Sequence, residues 1–177
     1  MKKNKLLIIL LGIVVIALIV LGVLFATGKL SSKKDTVKEE ETGLRIPTDS
    51  GYTITQTYCE QKDSLFGSTS FHSGIDISGF DEGANVYAAD NGKVITKVCE
   101  GSYGCHIIID HNNGYYSLYA QLKDFASGIE EGQTVTKGQL IGYIGMTGAA
   151  AGPHLHFEIR TCSEYSCTID PTTLLMQ

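Results

Sequence analysis

The amino-terminal part of the chain lacks cysteine and, over a long stretch, charge. No cysteine occurs in the first 58 residues, and no charged residue occurs from Leu6 to Thr27. An apolar run of about 20 residues can cross the ~30 Å hydrocarbon core of a bilayer as a helix. The apolar core of a cleaved signal peptide is usually shorter, about 7–15 residues, although Ala26-Thr27-Gly28 leaves cleavage open. We predict a retained transmembrane anchor over residues 6–27, with residues 1–5 in the cytoplasm.

The position of the cysteines indicates the side of the membrane on which the rest of the chain lies. Lysines flank the apolar run on both sides, so the positive-inside rule does not decide its orientation. Two cysteine pairs close short loops, Cys99 with Cys105 and Cys162 with Cys167. Such pairs suit an oxidising compartment, and their spacings fit zinc clusters poorly. We predict two disulfides in an extracytoplasmic domain, with Cys59 either buried or paired elsewhere.

Basic residues are scarce after the apolar run. From Ser31 onward the chain carries 10 Lys or Arg residues against 19 Asp or Glu. Nucleic-acid binding needs a basic footprint on the phosphate backbone, so nucleic acid is excluded as a partner. Residues 28–45 are polar and show no periodicity, and we expect a flexible linker there. The remaining residues, 46–177, then form one domain.

Long amphipathic helical patterns are missing from residues 46–177. Short apolar runs alternate with polar residues and are separated by Gly, Asn and Asp, which predicts an all-β domain. Asn91-Gly92 and Asn113-Gly114 are hairpin signals, because type I′ turns need positive φ at both central residues. We find neither an internal repeat nor a phosphate-binding glycine loop.

Two pairs of potential metal ligands occur in this domain. His72 and Asp76 are four residues apart in FHSGID, and His154 and His156 are two apart in GPHLHFEIR. Residues i, i+2 and i+4 of a strand share one face, so each pair can point to one side. A catalytic zinc site uses three protein ligands and keeps one position open. The spacing therefore allows a zinc site and leaves one histidine over.

Other polar residues near these motifs have two interpretations each. Glu158 shares the face of His154, where it either orients a ligand imidazole or forms a surface ion pair with Arg160, the interpretation we favour. His106 and His111 are candidates for a catalytic role, but their positions beside apolar residues and a turn favour a structural one.

The motifs and their surroundings resemble a known family. HSGID, GANVYAADNGKV, DHNNGYYSLYAQL and EGQTVTKGQLIGYIGMTGAAAGPHLHFEIR occur in the order typical of M23 metallopeptidases, the lysostaphin or LytM type. The resemblance covers residues 65–161. It implies a lysostaphin-type antiparallel β-sheet domain that binds zinc. It also implies that the substrate is peptidoglycan, whose peptide cross-links are cleaved outside the cell.

The same resemblance implies roles for individual residues. It makes His72, Asp76 and His156 the zinc ligands and His154 a catalytic residue. The family's other catalytic histidine lies in a Tyr-x-His element, which here reads Tyr-Ala-Gln and ends at Gln121. If the strand alternates regularly, Gln121 points away from the apolar face of its strand and still reaches the site.

Glutamine at this position affects the predicted activity. Its amide donates hydrogen bonds but does not exchange a proton near neutral pH. Loss of a general acid or base lowers the rate by about 10²–10⁴. Stabilisation of an oxyanion by a hydrogen-bond donor contributes about 10²–10³, and the amide of Gln121 can still provide such a donor. The leading hypothesis is a zinc metalloendopeptidase of reduced activity. The alternative is a catalytically impaired wall-binding module or an adaptor for another hydrolase. A regulatory protein partner is left open.

Overall fold

The computed structural model describes residues 43–62 and 69–175. Its strands in chain order are β1 (Thr53–Gln56), β2 (Cys59–Lys62), β3 (Thr69–His72), β4 (Ile75–Ser78), β5 (Asn85–Tyr87), β6 (Gly92–Glu100), β7 (Gly104–Asp110), β8 (Tyr116–Phe125), β9 (Thr134–Val135), β10 (Leu140–Ile144), β11 (Leu155–Arg160) and β12 (Thr168–Ile169). A short 3-10 helix, Pro171–Thr173, follows. The predicted anchor over residues 6–27 lies outside the described residues. Within them, no helix has the length and apolarity needed to cross a membrane.

Ten of these strands form one sheet. Its main path runs β1-β4-β11-β8-β7-β6-β9, with β10 pairing with β5 and β8 and β12 pairing with β11. The remaining two strands, β2 and β3, form a separate two-stranded sheet. Every strand pairing in the described part of the chain is antiparallel. The predicted all-β antiparallel class is confirmed.

The central strands bury one face in the main hydrophobic core. The following alternate residues of β4, β7, β8 and β11 are completely buried there: Ile75, Ile77, Ile107, Ile109, Tyr119, Leu155, Phe157 and Ile159. Each fully buried large apolar side chain contributes about 1.5–3 kcal/mol relative to an exposed one. The alternation predicted for HLHFEIR, with its apolar residues facing the core, is therefore present in β11.

The opposite face of the same strands carries the polar residues. A small apolar cluster of Ile108, Leu118 and Ala120 lies on this side. His156 pairs with Asp76 on one side and with Ala120 on the other, so these three side chains share a face. Because β11 lies between β4 and β8, the fold places two of the predicted ligands, Asp76 and His156, in the middle of the sheet.

The two predicted hairpins have different outcomes. The segment with Asn113 and Gly114 joins the paired strands β7 and β8, with positive φ at Asn112 and Gly114. The hairpin predicted at Asn91-Gly92 is wrong, because β5 pairs with β10 and β6 pairs with β7 and β9. Asn91 instead fixes a longer-range contact, since its side-chain oxygen accepts a hydrogen bond from the backbone N of Lys137 at 2.9 Å.

Both predicted disulfides are present. Cys99 is bonded to Cys105 across the β6–β7 hairpin, and Cys162 is bonded to Cys167 in the loop after β11. The expectation that Cys59 is buried or paired is wrong, because its side chain is exposed and forms no disulfide among the described residues. It lies in β2, which pairs only with β3 among the described strands.

The disulfide pattern predicts the thiol content of the purified chain. The denatured, unreduced protein should titrate with one thiol per chain, that of Cys59, and the reduced protein with five. A Cys59→Ser variant is the matched control and should titrate with none before reduction. Five thiols in protein made under oxidising conditions and never reduced would contradict both bonds.

Candidate metal centre and cleft

His72 and Asp76 come from two different sheets. His72 ends β3, Asp76 lies within β4, and the chain crosses between the sheets at Ser73 and Gly74. A Cβ atom on Gly74 would lie 2.3 Å from the carbonyl oxygen of Phe157, so only glycine permits this approach to β11. The prediction that both residues lie on one regular strand is wrong. They nevertheless meet, with Nε2 of His72 at 3.1 Å from Oδ1 of Asp76.

His156 completes a triangle of donor atoms. It is directly opposite Asp76 in the β4–β11 register, and its Nδ1 lies 2.9 Å from Oδ1 of Asp76. The same Nδ1 lies 3.1 Å from Nε2 of His72. The structure thus brings together the three residues expected to bind zinc, with all three donor atoms in mutual contact.

In both His72 and His156, the ring nitrogen that is not part of the triangle lies next to a hydrogen-bond acceptor. Nδ1 of His72 lies 3.0 Å from the backbone oxygen of Thr57, and Nε2 of His156 lies 3.0 Å from Oε1 of Glu158. A carbonyl oxygen and an ionised carboxylate only accept, so these nitrogens carry the hydrogen. The remaining nitrogens then direct their lone pairs at the same point as the carboxylate of Asp76.

The place where the three donor atoms converge favours a positive charge. Burial opposes the charge on His156, but its hydrogen bonds with Asp76 and Glu158 outweigh burial and raise its pKa to about 9. Burial likewise opposes ionisation of Asp76, but hydrogen bonds from His156 and His72 hold its pKa well below its usual range. The donors therefore attract a cation, which is either a proton or a metal ion.

The spacing of the donor atoms fits zinc. Zinc binds imidazole nitrogen and carboxylate oxygen at about 2.0–2.2 Å, which separates tetrahedral ligand atoms by about 3.3–3.5 Å. The three observed distances, 2.9 to 3.1 Å, are close to that spacing. Two imidazoles and one carboxylate on rigid strands form a donor set that zinc prefers. The residues present therefore fit the ion.

Glu158 is buried, which corrects the expected surface ion pair. Both Glu158 and Arg160 have 0% of their surface exposed, because β11 is an inner strand. Oε2 of Glu158 accepts from Nε of Arg160 at 2.7 Å, while Oε1 accepts from His156, Ser73 and Tyr103. Burial alone would raise the pKa of Glu158, but the hydrogen bond from His156 and the charge of Arg160 lower it to about 2.

His154 lies at the edge of the triangle. Its Nδ1 is 2.8 Å from the backbone oxygen of Gly152 and therefore carries the hydrogen. Its Nε2 lies 3.8 Å from Oδ1 of Asp76, outside hydrogen-bonding distance. This nitrogen presents a free lone pair beside the ligand set, which is the geometry a general base needs.

Gln121 reaches the site through a β-bulge. Ala120 and Gln121 of β8 together oppose the single residue His106 of β7, since the register shifts there. Gln121 has a φ of 64°, and the extra residue returns Leu122 to the main core beside Tyr119. The expected regular alternation is wrong, because it would place Gln121 in the core with Tyr119.

The side chain of Gln121 is held but not fully paired. Its backbone N donates to the oxygen of Tyr103 at 2.9 Å, and its Nε2 donates to the oxygen of Ser102 at 3.2 Å. Its Oε1 is buried and has no hydrogen-bond partner among the described residues. A Cβ atom on Gly148 would lie 2.9 Å from this oxygen and 2.4 Å from that of Ser102, so the loop over Gln121 requires glycine.

A cleft of about 360 Å³ opens beside the donor atoms. Apart from the ligands His72 and Asp76, it is lined by uncharged or small side chains and by His154: Thr55, Gln56, Ser78, Gln121, Ala149, Ala151, Gly152, Pro153 and His154. The cleft brings two of the predicted ligands, His72 and Asp76, together with His154 and Gln121.

The other two histidines do not line the cleft. His111 contacts the oxygen of Asn91 at 2.7 Å and Oγ of Ser117 at 2.8 Å, and Nδ1 of His106 lies 2.9 Å from the oxygen of Gly104. Their contacts agree with structural roles. The contacts of Thr57 and Ser73 with the site were missed, since a backbone oxygen and a lone serine carry no sequence signal for it.

Comparison with known proteins identifies the family. The model of Peptidase family M23 matches residues 70–171. The chain is 36% identical over 117 residues to the peptidoglycan DD-endopeptidase ShyB of Vibrio cholerae, covering 65% of this chain and 27% of that protein. A second relative, the DD-carboxypeptidase/endopeptidase Mpg of Neisseria meningitidis, is 42% identical over 89 residues, which are 50% of this chain and 20% of that protein. The chain thus spans only about a fifth to a quarter of the length of these two relatives.

Solved structures give the same result. A zinc-containing peptidase from Vibrio cholerae superposes with a TM-score of 0.64 at 32% identity, covering 73% of this chain and 39% of that one. The catalytic domain of lysostaphin from Staphylococcus simulans superposes with a TM-score of 0.61 at 26% identity, covering 69% and 90%. The fold, the motif order and the family match agree, and the chain belongs to peptidase family M23.

Proposed function

We propose that this chain is a zinc metalloendopeptidase that cleaves peptide cross-links of peptidoglycan. The observation that carries the proposal is the triangle formed by Nε2 of His72, Oδ1 of Asp76 and Nδ1 of His156 beside a cleft whose lining is otherwise free of Asp, Glu, Lys and Arg. Family membership supports it, as does the similarity to a peptidoglycan DD-endopeptidase and to a zinc-containing peptidase.

We also propose the arrangement in which this domain acts. Residues 6–27 anchor the chain in the cell membrane, residues 28–45 form a linker, and residues 46–177 form the peptidase domain outside the cytoplasm. The uncharged apolar run supports the anchor. The two disulfides support the oxidising side of the membrane.

Each residue of the site has a separate role in the proposed hydrolysis. When bound, zinc supplies Lewis-acid chemistry that polarises a carbonyl group and lowers the pKa of water. His72, Asp76 and His156 would hold the ion, and the contacts with Thr57 and Glu158 fix the orientation of the two imidazoles. His154 accepts a proton at Nε2 from the attacking water and returns it to the leaving amine.

Gln121 limits what the site can do. Its amide can hydrogen-bond a substrate carbonyl or amide, but it cannot take up or release a proton near neutral pH. The site therefore has one titratable catalytic imidazole, that of His154, beside the donor triangle. We infer reduced turnover rather than complete loss of activity, because the ion-binding residues and one base remain.

Metal content tests the donor triangle. The full chain should bind one zinc ion, and His72→Ala, which removes one of three ligands, should lose it together with any hydrolysis of peptidoglycan. Zinc is measured by elemental analysis after dialysis, and hydrolysis by release of soluble muropeptides. His111→Ala is the control, because His111 lies outside the cleft, and it should retain zinc. A wild-type chain without zinc would refute the metal site.

Restoring a histidine tests the role of Gln121. Gln121→His should raise the rate of peptidoglycan hydrolysis by about 10²–10⁴, the contribution of a positioned acid or base. The backbone accommodates the change, because histidine tolerates positive φ better than most residues. Gln121→Asn is the control, since it keeps an amide at the same φ, and its rate should not rise.

The second candidate function is a zinc-loaded, non-catalytic wall-binding module or adaptor for another hydrolase. Gln121 is the observation that favours it. The two experiments separate the candidates. If the wild-type chain holds zinc but releases no muropeptides, and the Gln121→His variant does release them, the chain is the non-catalytic module. Hydrolysis by the wild-type chain that His72→Ala abolishes identifies the enzyme.

A further inference from the structure

Oε1 of Glu158 links a tyrosine to the donor triangle. This oxygen accepts a hydrogen bond from Nε2 of His156 at 3.0 Å and another from the hydroxyl group of Tyr103 at 2.7 Å. The hydroxyl group of Ser73 also donates to it. Tyr103 is thus two hydrogen bonds away from Nδ1 of His156, one of the three donor atoms.

The rest of the carboxylate is equally constrained. Oε2 of Glu158 accepts from Arg160, and neither side chain is exposed. Because Glu158 is itself completely buried, each hydrogen bond helps to fix the rotation of its carboxylate. The orientation of Glu158 in turn fixes the plane of the imidazole of His156, which determines where its Nδ1 lone pair points.

Tyr103 comes from a covalently closed turn. The disulfide between Cys99 and Cys105 joins the two strands on either side of it. The same turn supports the opposite side of the site, because the oxygens of Ser102 and Tyr103 accept the two hydrogen bonds from Gln121. One short disulfide-closed segment therefore contacts both Gln121 and the partner of a metal ligand.

We propose that Tyr103 is a positioning residue for the metal centre, acting through Glu158 on His156, and that the Cys99–Cys105 disulfide holds Tyr103 in place. The inference rests on the proposed zinc site and adds the residues that set its affinity. Tyr103 touches neither substrate nor metal in this role. Its hydroxyl group is needed because a phenyl ring has no donor for the carboxylate.

Packing is the competing explanation for Tyr103. Its ring stacks on that of Tyr165 at 5.3 Å and lies 5.7 Å from the rings of both His106 and His156. Removal of the ring would disturb these contacts, so truncation to alanine does not distinguish the two explanations. Tyr103→Phe retains the ring and removes the hydroxyl group that donates to Glu158.

The test measures metal binding by the full chain. Zn²⁺ affinity is determined by competition with a chelator, and Co²⁺ is added separately because its visible absorption reports ligand geometry. Partners of a ligand imidazole are worth about 10–100-fold in metal affinity, and Tyr103 acts one step further out, so Tyr103→Phe should lose between about twofold and tenfold. The Co²⁺ spectrum should shift, while the thermal midpoint of the zinc-free chain changes little.

Tyr165→Phe is the matched control. It makes the same chemical change in the stacked partner ring, whose hydroxyl group contacts His106 rather than Glu158. Its Zn²⁺ affinity and Co²⁺ spectrum should equal those of the wild type. Equal losses in Tyr103→Phe and Tyr165→Phe would overturn the proposal in favour of packing, as would wild-type behaviour of Tyr103→Phe.

Two further variants keep the proposal testable if Tyr103→Phe folds poorly. Ser73→Ala removes another donor to the same oxygen and should lower Zn²⁺ affinity in the same direction. The double variant Cys99→Ser/Cys105→Ser should also lower it, and unchanged affinity in both would overturn the proposal. A wild-type chain that binds no Zn²⁺ would instead refute the zinc site itself, which is a different and separately visible failure.

Discussion

Three electron-pair donors on buried or half-buried side chains point at one place, and this convergence requires a cation. Charges removed from water are costly unless they are paired and hydrogen-bonded. The fold meets this requirement by carrying Asp76 and His156 on adjacent inner strands and His72 at the end of a strand in the second sheet. Ligands on paired strands are held more precisely than ligands on loops. The antiparallel register is therefore what defines the site.

The alternation of β11 connects folding with chemistry. Its apolar residues are in the main core, and His156, Glu158 and Arg160 occupy the other face. Burial of the first set fixes the register of the strand, and a one-residue slip would reverse the two faces. The stability of the core and the geometry of the metal centre thus both depend on the six residues of β11, Leu155–Arg160.

Local patterns predicted much of this structure. The alternation of HLHFEIR was sufficient to place the core face of β11, and the short spacing of the cysteines was sufficient for both disulfides. Pairings between distant segments were not predictable from local patterns. The partner of β5 is β10 rather than β6, so the turn at Asn91 forms no hairpin. Burial of Glu158 likewise depends on β4 and β8, which are remote in sequence.

The position of Gln121 was predicted for the wrong reason, since a bulge rather than regular alternation turns it towards the cleft. That bulge has a genetic consequence. The backbone N of residue 121 donates to the oxygen of Tyr103, a hydrogen bond that does not depend on the side chain, and histidine tolerates the positive φ of this position better than most residues. Codons for glutamine and histidine differ only in the third base. A single nucleotide change therefore separates this sequence from one with two histidines at the cleft besides the proposed ligands.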